Sequence, residues 1–346
     1  MFGKNLTYYR LKAGMTKKEL AERAGVSQMT ITHYEKEERN PDMKMLKSLA
    51  SVLGVRVSDF LSTRNEHVKF AHGEFRKNTT LTKNQQEYVA ASVEQYFGRF
   101  MTIVEILGEK VLPAPPACHQ LELQEDAEKS AQLLRKYLEF APEGPIEDLT
   151  GKLENKGILI YLLEIDNSKF SGRNGFVNGR PYIVLNKTMS AERNRSTLVH
   201  ELAHLMFRWP EDQDEKEAER QATAISGAFL FPKEDAIREL GLRRKFISPD
   251  MIHVAQEYGI SMMLLAMRAK ICKIVSEEQV KSFYMTVSQM GWKKNEPSRI
   301  PMEEPALFRQ LVYRAVSEEE ISLQRGAELL GISYAEIAKE CCFDKE

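Results

Sequence analysis

His200-Glu201-Leu202-Ala203-His204 sets two imidazoles four positions apart, with a carboxylate directly after the first. On a helix, residues i and i+4 share a face, so both rings can reach one metal ion. Glu201 lies about 100° around the helix from His200, where it can act as general base on a metal-bound water. The chemistry this spacing points to is metal-assisted hydrolysis, and Zn2+ is the ion expected. The four cysteines (Cys118, Cys272, Cys341 and Cys342) form no C-x-x-C pair, so the metal site must rest on His and carboxylates.

A catalytic zinc takes three protein ligands and leaves one position for water. The third is expected from the acidic stretch over 211–219 and the segment that follows it. A charge run is usually a solvated face, but periodicity separates its members. Ala222, Ile225, Ser226 and Phe229 mark a buried side, which Glu219 continues at three- and seven-residue spacing. Glu215, one turn further back, ranks second, and Glu217 points away. No pattern fixes an oxyanion donor; Tyr182, Arg193 and Arg195 are the candidates.

These side chains need a scaffold. The metal helix is expected over 191–207, with Leu198, Leu202, Leu205 and Met206 as its apolar face. Helices over 126–140 and 146–155 precede it, followed by a strand over 157–163 whose unbroken apolar run implies cover on both faces. Gly172, Gly175 and Gly179 punctuate a loop or hairpin. A second strand over 182–186 is either the candidate edge for pairing with an extended substrate or an ordinary strand of the sheet.

The chain has 346 residues, 42% of them hydrophobic, with net charge −1, enough for two or three domains. No apolar run reaches the roughly 18 residues of a membrane span, and the first ten residues lack a signal peptide's apolar core. A cytoplasmic protein with no membrane partner is expected. Residues 1–64 carry 12 Lys and Arg against 7 Asp and Glu, whereas the remainder carries 37 against 43. A basic head on an acidic body suggests nucleic-acid contact confined to the head.

Residues 1–62 contain five short helical patterns. Thr16 with Glu19 makes a capping box, Gly25 stops the second helix and Ser27 caps the third. Helix, tight glycine turn, helix is the helix-turn-helix arrangement. The string M-T-K-K-E-L-A-E-R-A-G-V-S-Q-M-T-I-T-H-Y-E over 15–35 resembles the Cro/C1-like (XRE) repressor family. The resemblance implies that the third helix enters the major groove of double-stranded operator DNA. Its exposed early positions are Gln28, Met29, Thr30, Thr32 and His33. Gln28 suits adenine, His33 or Thr30 a base or phosphate, and Met29 a thymine methyl. Lys17, Arg39 and Asn40 are placed to hold phosphates.

H-E-L-A-H followed by E-R-Q-A-T-A-I-S-G-A-F-L-F-P over 219–232, with R-N-R-S-T-L-V before it, resembles the ImmA/IrrE metallopeptidase family. The resemblance implies a zincin-like domain in which His200, His204 and Glu219 bind zinc and Glu201 is the catalytic acid/base. Thr223 and Ile225 depart from the residues more frequent there, with no expected effect on the ligands.

Residues 64–117 read as a connector. Val68–Phe70 and Phe75-Arg76 suggest a short strand pair, and 82–107 one long amphipathic helix. That helix is either a spacer pairing two copies in a homodimer or a face packed on the next domain. Pro113, Pro115 and Pro116 mark a stiff extended linker. Residues 241–346 read as helices. I-S-L-Q-R-G-A-E-L-L-G-I-S-Y-A-E-I suggests either a second helix-turn-helix or a hairpin packed beside the peptidase domain.

The expected fold is therefore multidomain and mainly α with a small α+β domain. Its parts are a five-helix helix-turn-helix domain over 1–63, a connector over 64–117, a zincin-like metallopeptidase domain over 118–240 and a helical C-terminal region over 241–346. The expected function is a DNA-binding transcriptional regulator whose zinc peptidase cleaves a repressor or partner protein. Two other readings stay open: a non-proteolytic, antitoxin-like repressor with a ligand- or metal-sensing domain, and a stand-alone enzyme whose head recruits it to protein partners.

Overall fold

The structure, a computed structural model, describes residues 1–73, 81–210, 212–292 and 295–341. The chain divides into two compact units: Met1–Val111 together with the chain from Phe308 onward, and Leu112–Leu307. It is multidomain and mainly helical, and among the described residues no helix is long and apolar enough to cross a membrane.

The first unit opens with α1 (Phe2–Lys12), α2 (Lys17–Ala24), α3 (Gln28–Glu35), α4 (Met43–Leu53) and α5 (Val57–Leu61). The Thr16 hydroxyl accepts from Glu19 N–H while the Glu19 carboxylate accepts from Thr16 N–H, at 3.2 and 2.7 Å. Gly25 ends α2 in the left-handed region at φ 72°, a conformation costly for any residue with a Cβ. The chain then turns directly into Ser27, whose hydroxyl caps α3. Leu6, Leu20, Ile31, Leu49 and Phe60 are wholly inaccessible in the core this creates. At about 1.5–3 kcal/mol for each large apolar side chain, that burial is the main term holding so small a core together.

β1 (Phe70–His72) follows; the expected partner strand at Phe75-Arg76 lies outside the described residues. In α6 (Lys83–Leu107), Tyr88 stacks on Tyr8 of α1 at 6.5 Å, and Phe100 stacks on Phe308 at 5.1 Å. The apolar face expected to serve either a homodimer or the next domain is thus covered by helices of its own unit.

The second unit starts at Leu112, and its proline run is not a free spacer. Pro113 O accepts from Arg180 at 2.6 Å, and Ala117 O accepts from Tyr137 at 2.8 Å. Gly157 lets this segment approach closely, since a Cβ there would lie 2.8 Å from Pro113 O and from Pro115 Cα. Next come β2 (Leu121–Glu122), α7 (Ala127–Tyr137), α8 (Leu149–Glu154), β3 (Leu159–Leu163), β4 (Gly172–Val177) and β5 (Arg180–Asn186). β4 and β5 form a hairpin whose two-residue turn, Asn178-Gly179, has φ 48° and 78°, the pairing a tight β-turn of this kind demands. β3 pairs with β5 in parallel, from Leu159 opposite Tyr182 to Leu163 opposite Asn186. β5 therefore lies between β3 and β4, and the expectation that it offers a substrate-pairing edge is corrected: both its ladders are already used.

α9 (Ala191–Met206) packs on β4 and β5 so closely that a Cβ on Gly172 would lie 2.6 Å from Thr197 Cγ2. β6 (Phe207–Arg208) continues the chain and pairs with β2, and α10 (Glu215–Leu230) returns along α9. The carbonyls at the end of α10 are met by buried arginines, Arg135 on Phe229 O at 2.8 Å and Arg268 on Phe231 O at 2.9 Å, where the helix dipole favours cations. α11 (Lys233–Leu240), α12 (Met251–Tyr258), α13 (Met262–Ile271) and α14 (Glu277–Gln289) complete the helical part around one continuous core.

Residues 296–306 then run without regular structure across the unit and are pinned by buried polar groups. Glu192 accepts from Ile300 N–H at 2.6 Å, and Arg195 pairs with Glu303. Glu154 accepts from Ala306 and Leu307 N–H at 2.8 and 3.2 Å. The last helices are α15 (Leu307–Ser317), α16 (Leu323–Leu330) and α17 (Tyr334–Cys341). The contacts thus divide the chain differently from the four regions read in the sequence. The helix after β1 groups with the head, and 241–346 splits near residue 307. The α16–α17 pair falls in the first unit, because α15 and α16 find the face of α6.

Burial pushes the Glu154 carboxyl up to about 7, against the pull of its two N–H donors. Between its ordinary value and about 7 the native state binds more protons than the unfolded chain, so this group's contribution to stability falls as pH rises through that window. Glu154→Gln is expected to flatten the fall. Urea midpoints at about pH 5 and about pH 8 for both proteins provide the check.

Candidate metal centre and DNA-reading face

Three contacts along the seam between α9 and α10 set the geometry of the centre. Ser226 donates to Ser196 O at 2.7 Å, Thr223 Oγ1 lies 3.3 Å from His200 Nδ1, and Glu219 Oε1 lies 3.3 Å from His204 Nε2. As α9 advances from 196 to 200 to 204, α10 retreats from 226 to 223 to 219, so the helices are antiparallel and each rung is one turn from the next. The small hydroxyl pair at the first rung lets the backbones approach, and the polar side chains of the next two rungs meet.

His200 Nε2 and His204 Nε2 are 3.2 Å apart, and Glu219 Oε2 is 3.2 Å from His200 Nε2. One donor atom from each of the three lies within 4.8 Å of the others, a span one metal ion can bridge. The donor set fits too, with two imidazoles, one carboxylate and partial exposure that leaves access to the ion. Thr223 donates to Glu219 O at 2.8 Å, so its oxygen is free to accept from His200 Nδ1–H. That tautomer presents the Nε2 lone pair to the centre. The expectation that Thr223 has no bearing on the ligands is therefore corrected. On the other side, the Trp209 ring lies 5.0 Å from that of His204 and limits its swing.

Glu201 is buried, and its Oε2 accepts from Asn174 Nδ2 of β4 at 2.8 Å. Burial lowers the pKa of neighbouring Arg173, while Tyr182 and Glu201 pull it back up, so these three groups share one electrostatic environment. Glu217 turns outward to Arg220 at 2.8 Å. Of the three oxyanion candidates, Arg195 is spent on Glu303, Gly259 O and Ile146 O, and Arg193 on Ser171 and Ser168 O, while Tyr182 is wholly buried on β5. Sequence reasoning missed Asn174, Thr223 and Trp209. The Asn-Gly turn signal could have located the hairpin that carries Asn174, whereas Thr223 and Trp209 had no signal beyond position.

In the head, Gln28, Met29, Thr32 and His33 form one face of α3, opposite the buried Ile31 and Tyr34. Gln28 and Met29 are exposed, as are Arg39 and Asn40 beyond the helix. Thr30 is partly used in the cap, meeting Ser27 Oγ at 2.9 Å; Thr32 Oγ1 donates to Gln28 O at 3.0 Å; and His33 pairs with Glu38. Lys17 lies 3.0 Å from buried Glu35, which also holds Arg10, so its charge is committed within the head.

An exposed helix after a tight glycine turn, joined to a His-His-Glu cluster beside a buried Glu, defines a regulator-type head attached to a metallopeptidase-type domain. Family models bear on both parts: the helix-turn-helix model matches residues 6–60, and the IrrE N-terminal-like domain of peptidase family M78 matches residues 153–270. An uncharacterised HTH-type transcriptional regulator of Archaeoglobus fulgidus is 35% identical over 60 residues, 17% of this chain and 86% of the relative. A like-named protein of Methanocaldococcus jannaschii is 37% identical over 54 residues, 16% of this chain and 82% of the relative. No solved structure matches the chain significantly. The chain belongs to the HTH-type transcriptional regulators and carries an M78 peptidase domain in addition to the DNA-binding head.

Replacing Thr223 by Val keeps its shape and removes the acceptor behind His200. Metal affinity is expected to fall about tenfold or more, as for other partners that orient a ligand; competition with a chromophoric chelator measures it.

Proposed function

We propose that the protein is a DNA-binding transcriptional regulator whose M78 domain is a zinc-dependent peptidase acting on a repressor or partner protein. The observation that carries this reading is the convergence of His200, His204 and Glu219 with Glu201 buried beside them. His200 Nε2, His204 Nε2 and the Glu219 carboxylate would hold the zinc. When bound, that ion would supply a Lewis acid that polarises a scissile carbonyl and lowers the pKa of an attacking water toward about 7.

The protein's own part is proton transfer and orientation. Asn174 holds Glu201 through Oε2, which leaves Oε1 to take a proton from the attacking water and pass it to the leaving amine. Burial of Glu201 limits competing solvent around that transfer. The exposed face of α3 would read the operator, with Gln28 on base edges and Arg39 and Asn40 on phosphates. Lys17, tied to Glu35, contributes less than its charge suggests.

Zinc-loaded protein is expected to hold about one equivalent of metal, and His204→Ala to lose it. Metal analysis of both settles whether the cluster is a metal site, and wild-type protein without stoichiometric metal overturns it. Glu201→Gln should keep the metal and lose cleavage-dependent regulation. If it regulates its promoter as the wild type does, proteolysis is not the mechanism and a sensing role replaces it.

Gln28→Ala is expected to cost about 1–3 kcal/mol of specific binding to its own promoter region while sparing non-specific binding. Arg39→Ala should weaken both alike and reduce the salt slope by about one. Footprinting and salt-dependent binding curves distinguish the two.

A further inference from the structure

The first unit contains a cleft of about 1670 Å3 that belongs neither to the DNA-reading face nor to the metal centre. Its walls come from α1, the α4–α5 turn and α5, the segment after α5, α6, and the α16–α17 pair; no residue of α2 or α3 lines it. Binding there leaves the DNA-reading face open. The volume exceeds the roughly 300–1,000 Å3 of an ordinary small-ligand pocket.

The α16–α17 wall is itself informative, because it repeats the α2–α3 motif position for position. A capping residue (Thr16, Ser322) precedes an eight-residue helix in each. A left-handed glycine follows (Gly25 at φ 72°, Gly331 at φ 70°), then a second serine (Ser27, Ser333) and a second eight-residue helix. Ile31 and Ile337 are the corresponding buried residues of the two second helices. α17 exposes Glu336 and Glu340 with one cation, Lys339, so two carboxylates on it face a DNA backbone unfavourably. The copy keeps the fold of a DNA reader, and its position in the unit makes it a wall of the cleft.

The charges lining the cleft are unevenly satisfied. Among the described residues, the side chains of Lys4, Lys12, Arg56, Arg64 and Arg99 have no carboxylate at ion-pair distance, although Arg64 donates to Asn5 Oδ1 at 2.6 Å and Lys4 O at 3.1 Å, and Arg99 to Gln95 O at 3.3 Å, each with part of its guanidinium. By contrast, most of the carboxylates are engaged. Asp59 accepts from Arg56 N–H, Glu94 pairs with His72, Glu328 pairs with Arg325 and Glu336 accepts from Ser333 N–H. Burial lowers the Arg64 pKa, and although Glu94, Tyr8 and Tyr9 offset this, Arg99 adds repulsion, so two guanidinium groups lie close together. Tyr8 and Tyr9 lie beside them, edge to face with ring centroids 5.0 Å apart, Tyr8 having one face on Tyr88 and Tyr9 an edge contact to Phe60; Gln95 Oε1 is a buried acceptor without a hydrogen-bond partner. Cations suit phosphate, tyrosine rings suit a planar base, and an unpartnered amide oxygen suits an exocyclic amino group.

We infer that this cleft is a nucleotide-binding site, with Arg64, Arg99 and Lys12 on the phosphates and the Tyr8–Tyr9 pair against the base. The inference stands apart from the peptidase reading, since none of these residues lies in the second unit.

The test is calorimetric titration of the full-length protein with ATP, with inorganic pyrophosphate and a short single-stranded oligonucleotide as comparators. ATP is expected to bind at least about tenfold more tightly than pyrophosphate, with Arg99→Gln and Lys12→Ala each weakening it about tenfold. Lys12 is exposed and its side chain has no ion-pair partner among the described residues, so its variant reports on binding even if Arg99→Gln perturbs the fold, which a thermal melt would reveal. An oligonucleotide that binds more tightly than ATP and is lost in the same variants supports the site and makes a strand end the source of the nucleotide. Equal binding of ATP and pyrophosphate, absence of binding by ATP and oligonucleotide alike, or unchanged binding in both variants overturns the inference.

Discussion

The antiparallel seam between α9 and α10 is the contact on which the candidate metal centre depends. Its last rung joins His204 to Glu219, its middle rung joins His200 to Thr223, and its first joins Ser196 to Ser226. A helix pair one residue out of register would rotate each α10 side chain by about 100° and point Glu219 away from both imidazoles. Register in turn rests on features remote from the ligands. Gly172 admits α9 onto β4, and Arg135 and Arg268 anchor the carbonyl end of α10.

The same unit spends charged groups freely on structure. Arg195 and Glu192 sit on the metal helix but face the 296–306 segment. The α9 helix is therefore divided along its length: its first turns hold the unit together, and its last turns carry the side chains of the candidate metal centre. The arrangement explains why Arg195 is unsuited to an oxyanion role. A buried arginine already satisfied by a carboxylate and three backbone carbonyls has little to gain from a transient charge elsewhere.

Local signals in the sequence reached far because they were local in cause. The Thr16 and Glu19 box, the Gly25 turn, the five head helices and the H-E-x-x-H spacing each follow from interactions spanning a few residues. Glu219 could be nominated because periodicity fixes which side of a helix a residue occupies, though not what it meets there. What escaped depended on contacts distant in the chain. Asn174 reaches Glu201 across a hairpin, Thr223 reaches His200 across the helix seam, and Phe308 covers Phe100 from more than 200 residues away. The 182–186 strand misled for the same reason, since its composition cannot tell a central strand from an edge.

The order in which the chain leaves the ribosome matters for the first unit. The five head helices have their own core and can form early, but the aromatic face of α6 is completed by Phe308, beyond the whole of the second unit. Contacts of such sequence separation close late, because the intervening loop entropy comes first. The second unit can gather its core while α6 still shows its aromatics to water, a stage at which that face is open to chaperones or to self-association. Synthesis thus permits one sequence of events: the whole of the second unit has been made before the first can be closed.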